Sequence, residues 1–224
     1  VLILLFFKPL KINPKNQQIE IKENKKTYFW EGFKQIKFLS KDLIIFLIAL
    51  ALINTASSNV DKFIDPYFEL KKYSPSDLGT YKLIVGIISV ITSIIIVPII
   101  NKYNQNKLKL MATLQIISAI LVFITFRLNN FLLAAYSLLL IYTAIKAIFL
   151  PIEQSYISSY ANEDNMGKIT GVRQSFLSIG TIIGQLFGAF LFNKNALLLF
   201  NSSVIIFIIA FVLILTSYRY KKRV

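Results

Sequence analysis

Six long apolar runs constrain what this chain can fold into more than any other feature of its sequence. Each run has about 20 residues, the length that an α-helix needs to cross the hydrocarbon core of a bilayer. The runs are continuous, whereas the strands of a membrane β-barrel alternate apolar and polar side chains. The sequence therefore predicts an all-α, polytopic membrane protein, a bundle of six transmembrane helices within residues 43–218. The predicted spans are 43 to the mid-sixties, 81–100, 108–126, 131–157, 169–192 and 196–218.

Most basic residues lie outside these runs. The net charge of the 224 residues is +14, yet only 16% of them are charged, against about a quarter in soluble domains. A nucleic-acid-binding domain would spread Lys and Arg over a hydrophilic surface, so we expect the lipid bilayer, and no nucleic acid, as a partner. If the segment before residue 43 is cytoplasmic, 18 basic residues lie on that side and four outside. This predicts a multi-pass protein of the cell (plasma or inner) membrane, with the basic C-terminal tail, residues 219–224, in the cytoplasm.

The first 42 residues divide into two parts. Residues 1–7 are apolar but too short to span, and no basic region precedes them as in a signal peptide. We expect them to be the end of a truncated transmembrane helix, and the chain to be a fragment. Residues 8–42 are predicted to be a basic cytoplasmic linker. Within it, residues 27–40 mix aromatic side chains with Lys, which predicts a short interfacial helix; the alternative is a polar linker followed by the first turn of the next helix.

The sequence contains neither Cys nor His. This excludes disulfides, thiolate nucleophiles and imidazole catalysis, and zinc sites are rarely built from carboxylates alone. We therefore expect no metal and no cofactor. A membrane-embedded enzyme would need clustered acids, His or Cys at an interface, whereas the charged residues in these spans are dispersed, so the chain is not predicted to be an enzyme.

The fifth span carries a stripe of small residues. Gly180, Gly184 and Gly188 recur every four residues, which places them on one helix face where another helix can approach closely. The contact can be static packing or a sliding contact used in gating, and the sequence leaves both open. Gln185 lies beside the stripe near the membrane midplane, where an amide without a partner is costly. We expect it to have a partner or to face a wet cavity.

Ionisable residues inside the spans are functional candidates by default. Lys146 lies roughly 22 Å into the fourth span at about 1.5 Å per residue, and Glu153 follows on the same face. Pro151 between them removes a backbone hydrogen bond, which predicts a kink. A hinge that carries a base and an acid suits gating or contact with an anionic substrate. The alternative is that Lys146 pairs structurally or extends to the interface.

Two acids, Asp61 and Asp65, share one face near the outer end of the first span. They suit an acidic rim around an outer vestibule, or a relay for protons or cations. Asn54 lies closer to the midplane, where its amide can hydrogen-bond a substrate or a neighbouring helix.

Three stretches resemble motifs of one group of transporters. Residues 180–189 (GTIIGQLFGA) resemble the G-x-x-x-G-P-x-x-G-G motif of drug/proton antiporters, with Gln185 at the proline position. Residues 97–107 (VPIINKYNQNK) resemble the G-x-x-x-D-R-x-G-R-K loop, with Asn101 for the Asp and Lys102 for the Arg. Residues 61–79 resemble the connection between the seventh and eighth helices of multidrug exporters from low-GC bacteria. The chain thus resembles the C-terminal half, helices seven to twelve, of a major facilitator superfamily transporter.

The resemblance implies transport of a small solute by alternating access, most closely the proton-coupled efflux of drug-like compounds by bacterial exporters. It implies a small-molecule substrate, protons as the coupling ion and the N-terminal half of the same transporter as a partner. Asn101 and Lys102 would belong to the inner gate. The alternative within the superfamily is uptake or export of a metabolite such as a sugar or an amino acid. An alternative of another class is a six-helix channel or a membrane interaction subunit.

Overall fold

The computed structural model describes residues 39–103, 106–162 and 165–223. The predicted helix stub, the interfacial helix and nearly all of the linker lie outside these residues. In the described part, six helices are long and apolar enough to cross a membrane, so the predicted all-α, six-span fold is confirmed. They are α1 (Lys41–Leu70), α2 (Pro75–Ile91, Thr92–Ile96 and Val97–Tyr103), α3 (Lys107–Thr125), α4 (Phe131–Ala134, Ala135–Leu139 and Leu140–Ser158), α5 (Met166–Lys194) and α6 (Ala196–Arg223).

A short turn joins α1 to α2. Lys72 has a φ of 61°, the left-handed conformation with which helices commonly end, and the amide of Tyr73 donates to the carbonyl of Phe68 at 3.1 Å. Ser74 then caps α2. Its hydroxyl accepts from the amide of Asp77, and the Asp77 carboxylate accepts from the amide of Ser74. Local hydrogen bonds thus satisfy both helix ends, and four residues are enough for the connection.

A wide turn interrupts α2. Residues Thr92–Ile96 form a single π-helical turn, in which the amide of Val97 reaches back five residues. Pro98 follows directly. It has no amide proton, and its ring crowds the carbonyl four residues earlier, so regular α-helical hydrogen bonding cannot continue at this point. The wider turn accommodates the proline.

Helix α4 contains one irregular turn besides its internal proline. The α-helical segment Leu140–Ser158 continues through Pro151, where the sequence predicts a kink. A π-helical turn lies at Ala135–Leu139, one turn after the helix begins. The hydroxyl of Ser137 donates to the carbonyl four residues earlier at 2.7 Å, a bond that often accompanies a bent helix.

Helix α1 packs against both α5 and α6, while α3 packs against α6 and α4. Where α1 ends, the rings of Tyr67, Phe126, Phe131 and Phe200 close the core. In the most apolar stretch of α1, 61% of the residues are buried, against 11% in α2 and 17% in α5. Helices α2 and α5 therefore present most of their apolar surface outward, to lipid or to another protein segment.

Candidate functional site

A groove of 740 Å³ lies between α1, α2 and α4. Its lining combines apolar side chains, several hydroxyl groups and a few charges. The volume falls within the range of about 300–1,000 Å³ that is usual for small-molecule sites. We call this space the groove. Its walls include Asp61 and Lys62 of α1, Tyr81 and Lys82 of α2, and Tyr142, Lys146 and Pro151 of α4.

Lys146 of α4 and Asp61 of α1 form an ion pair in this groove. The sequence predicts both as candidates, and the structure brings them together. The two side chains are 39% and 44% exposed, so water screens their attraction. A screened pair of this kind contributes little to stability.

Tyr142 is a site residue that the sequence reasoning missed. Its side chain is 3% exposed, and its hydroxyl has no hydrogen-bond partner among the described residues. Since buried polar atoms nearly always have a partner, an unpartnered hydroxyl on a residue of the groove wall is a candidate for a functional role. Tyr142 lies four residues before Lys146, whose ammonium is 5.7 Å from the ring centroid. Residues four positions apart share one helix face, so the position of Tyr142 relative to Lys146 could have indicated Tyr142 as a site residue from the sequence.

A second ion pair joins α1 to α2. The carboxylate of Asp65 lies 2.6 Å from the ammonium of Lys82. Lys82 lines the groove, whereas Asp65 does not. Lys62 and Lys146 also line the groove. Since Asp61 pairs with Lys146 and Asp65 with Lys82, one of the three lysines, Lys62, gives the groove its excess of positive charge.

Glu153 does not line the groove, but it lines a smaller internal cavity together with Lys146, with which the sequence predicts that it shares a cavity face. It is 0% exposed and pairs with Arg173 of α5, whose Nε and Nη2 donate to its two carboxylate oxygens at 2.7 and 2.6 Å. Bidentate pairing of this kind is strong and specific in geometry. The pair fastens α4 to α5. Arg173 is not among the residues that the sequence predicts for the site.

The amide of Asn54 points at α5. Its nitrogen donates to the carbonyl of Leu177 and to the hydroxyl of Thr181, both at 2.6 Å. Asn54 also lines a smaller internal cavity of 140 Å³ together with Lys146 and Glu153. The described hydrogen bonds of Asn54 therefore join two helices, and the small cavity is where these three predicted residues meet.

The glycine stripe of α5 faces α1. A Cβ built on Gly180 would lie 2.3 Å from the backbone oxygen of Ala51, and one on Gly184 would lie 2.8 Å from that of Thr55. Gly188 is similarly close to side chains of α1. The hydroxyl of Thr55 also donates to the carbonyl of Gly180 at 3.0 Å. Only residues without a side chain permit this approach of two helices.

The remaining predicted residues lie elsewhere on the bundle. Gln185 is exposed on α5 beside the glycine stripe, and Lys102 is exposed in the last turn of α2. Asn101 belongs to the same turn, and its side chain lies outside the described set. Within the described ranges, no three His, Cys, Asp or Glu residues are grouped as metal ligands would be.

Residues 1–185 match the family model of the Major Facilitator Superfamily. The chain belongs to this superfamily. The match includes the groove and both members of the Glu153–Arg173 pair, and it ends within α5. No curated protein matches the chain. Major facilitator proteins are multi-pass membrane carriers, not enzymes, so the chain serves membrane transport of a small molecule in a lipid environment.

Proposed function

We propose that this major facilitator chain forms one wall of a path through which small, amphipathic, drug-like compounds are exported in exchange for protons. The observation that carries the proposal is the half-exposed Asp61–Lys146 pair in a groove with largely apolar walls. An apolar lining with few convergent polar groups suits drug-sized compounds. The chain is the C-terminal half of the carrier in this proposal, and the N-terminal half supplies the facing wall, because substrate sites in such folds lie between the repeats.

In this proposal Asp61 binds either the substrate or a proton. The ionised carboxylate is held by Lys146, and at this exposure the pair is weak enough to exchange partners. A substrate that is cationic or donates hydrogen bonds takes a carboxylate oxygen. A proton that binds Asp61 from outside removes the charge and releases the substrate. Since one carboxylate cannot hold both, export of substrate and entry of protons are linked as an exchange.

The test compares two acids that are four residues apart. Asp61→Asn removes the acid of the groove, and Asp65→Asn is the matched control, because Asp65 also pairs with a lysine but does not line the groove. The carrier, expressed from its complete reading frame, is reconstituted in liposomes, and transport of a lipophilic cation is followed with and without a pH gradient.

We expect Asp61→Asn to abolish accumulation driven by the pH gradient, while substrate exchange at equal pH is weakened but persists because the amide oxygen still accepts hydrogen bonds. Asp65→Asn should retain both activities. Equal gradient-driven accumulation by the two variants would contradict the proposal. Flux that neither saturates nor supports substrate exchange would indicate a channel.

A second candidate function, uptake of an anionic metabolite together with protons, is favoured by different observations. Three lysines and one aspartate line the described walls, and the buried Tyr142 hydroxyl has no partner in the described structure. Here a proton on Asp61 frees Lys146 for a substrate carboxylate, to which Tyr142 also donates. Substrate and proton then bind together, so lowering the pH strengthens substrate binding, whereas in the proposed exchange it weakens binding. The substrate Kd at two pH values separates the candidates.

A further inference from the structure

Four basic side chains lie where α3 begins and α6 ends. Lys107 and Lys109 lie in the first turn of α3, and Arg219 and Lys221 lie near the end of α6. Two clefts of 410 and 390 Å³ are lined by these side chains and share Tyr218 as a wall; together they are termed the basic cleft. Among the described residues, no carboxylate lines either part or lies within ion-pair distance of the four basic groups.

Tyrosine rings position two of these ammonium groups. The Nζ of Lys221 lies 4.8 and 4.9 Å from the ring centroids of Tyr156 and Tyr160. The Nζ of Lys109 lies 5.2 Å from that of Tyr218. A cation–π contact attracts a cation to the ring face and leaves its formal charge in place. The basic cleft therefore keeps its positive charge for an anion that arrives from outside the protein.

Two other polar contacts lie at this end of the bundle, and one of them involves the carboxylate of Asp42. Lys107 donates to a neutral partner, the hydroxyl of Ser155, at 2.7 Å. The carboxylate of Asp42 accepts a hydrogen bond from the hydroxyl of Tyr160. Burial, together with this bond, raises the pKa of Tyr160, so the phenol stays protonated and continues to donate to Asp42.

The lining of the cleft changes along the helices. Lys109 and Arg219 line one end, and Ala112, Phe211 and Leu215 continue the same wall. At 1.5 Å per residue, Phe211 lies about 12 Å along α6 from Arg219. A charged end and an apolar end at this separation suit an amphiphile, whose phosphate stays at the membrane surface while its chain enters the hydrocarbon. A free phosphate would occupy the charged end alone.

We propose that the basic cleft binds an anionic phospholipid, with the phosphate between Lys109 and Arg219 and an acyl chain along Phe211 and Leu215. Basic pockets between transmembrane helices recognise such headgroups, and tyrosine favours the membrane interface. The cleft is lined mainly by α3 and α6, whereas the groove is lined by α1, α2 and α4, so this site does not depend on the transported substrate. A lipid that bridges α3 and α6 stabilises the folded carrier by mass action.

The test follows the Tm of the complete carrier in a neutral detergent as phosphatidylglycerol or phosphatidylcholine is added in mixed micelles. We expect phosphatidylglycerol at a hundredfold excess over its Kd to raise the Tm by about 5 °C, and phosphatidylcholine to leave it nearly unchanged. The double variant Lys109→Gln/Arg219→Gln should lose the shift. The control Lys71→Gln/Lys72→Gln removes the same charge at the far end of α1 and should keep it.

Native mass spectrometry of the unmodified carrier in an equimolar mixture of the two lipids gives a readout that does not depend on variant stability. Preferential retention of phosphatidylglycerol is expected. Equal retention of both lipids, or an undiminished Tm shift in the Lys109→Gln/Arg219→Gln variant, would overturn the proposal. So would inorganic phosphate that reproduces the full shift, because the cleft would then bind free phosphate rather than a lipid.

Discussion

A single methyl group added at Gly180 is expected to destabilise the carrier out of proportion to its size. The new Cβ would lie 2.3 Å from the backbone oxygen of Ala51, whereas non-bonded heavy atoms prefer a separation of about 3.5 Å. A carbonyl inside a helix cannot rotate away as a side chain can. The two helices must therefore separate locally by about 1 Å.

This separation acts on packing and on hydrogen bonding. Overpacking of a close contact destabilises a protein by about 1–3 kcal/mol. The hydrogen bond from Thr55 to the carbonyl of Gly180, now 3.0 Å, would be stretched beyond its effective range, and interhelical bonds in membranes average about 0.6 kcal/mol. Alanine offsets about 1 kcal/mol through its helix propensity. The expected net loss in the free energy of unfolding is about 0.5–2.5 kcal/mol.

Gly171 provides the matched control. It lies in the same helix, and no atom lies within 4 Å of an added Cβ, so Gly171→Ala should stabilise the carrier by up to about 1 kcal/mol. Thermal denaturation in one detergent should place the Tm of Gly180→Ala below that of the unmodified carrier and the Tm of Gly171→Ala above it. Gly188→Ala should fall between, since its Cβ would meet side chains of Asn59 and Phe63, which can move. Equal Tm values for Gly180→Ala and Gly171→Ala would refute the close contact.

Three further substitutions probe other contacts. Glu153→Gln leaves the guanidinium of Arg173 without its counter-ion and should lower the free energy of unfolding by about 3–5 kcal/mol. The double variant Glu153→Leu/Arg173→Leu removes both charges, so thermal denaturation should show that it regains stability relative to Glu153→Gln. A double variant as unstable as Glu153→Gln would argue against a penalty for the unpaired charge. Tyr142→Phe removes an unpartnered buried hydroxyl and should not lower the Tm. If the carrier transports an anionic metabolite, calorimetry should show that this variant binds the substrate carboxylate about tenfold more weakly. Lys72→Gly relieves a left-handed backbone conformation and should raise stability by about 1 kcal/mol in chemical denaturation; a loss would contradict this reading of the turn.

Hydropathy and length were sufficient to predict the six helices, because a bilayer requires about 20 apolar residues in each span. The predicted fourth span, 131–157, and the observed helix, Phe131–Ser158, nearly coincide. The first helix was predicted to end in the mid-sixties, yet it extends to Leu70. Its last turns carry charged residues, so the hydropathy falls several residues before the helical hydrogen bonding ends. The end is fixed by the local turn at Lys72.

Pairing between helices could not be read from the sequence. Lys146 and Asp61 are separated by 85 positions, and Glu153 and Arg173 by 20 positions across a loop. Helical periodicity tells which residues share a face of one helix, but not which face of another helix they meet. For this reason Lys146 and Glu153 were both recognisable as candidates, while the partner of each came only from the packed bundle.

The hydrogen bonds between α1 and α5 also impose an order on biosynthesis. Asn54 bonds to residues that follow it by 123 and 127 positions. At a translation rate of about 5–20 residues per second, α1 exists for roughly 6–25 s before these partners are made. Through that interval its amide needs water, the insertion machinery or α1 itself as a substitute partner. The first of the six helices to be synthesised therefore reaches its final packing only after the fifth has been made.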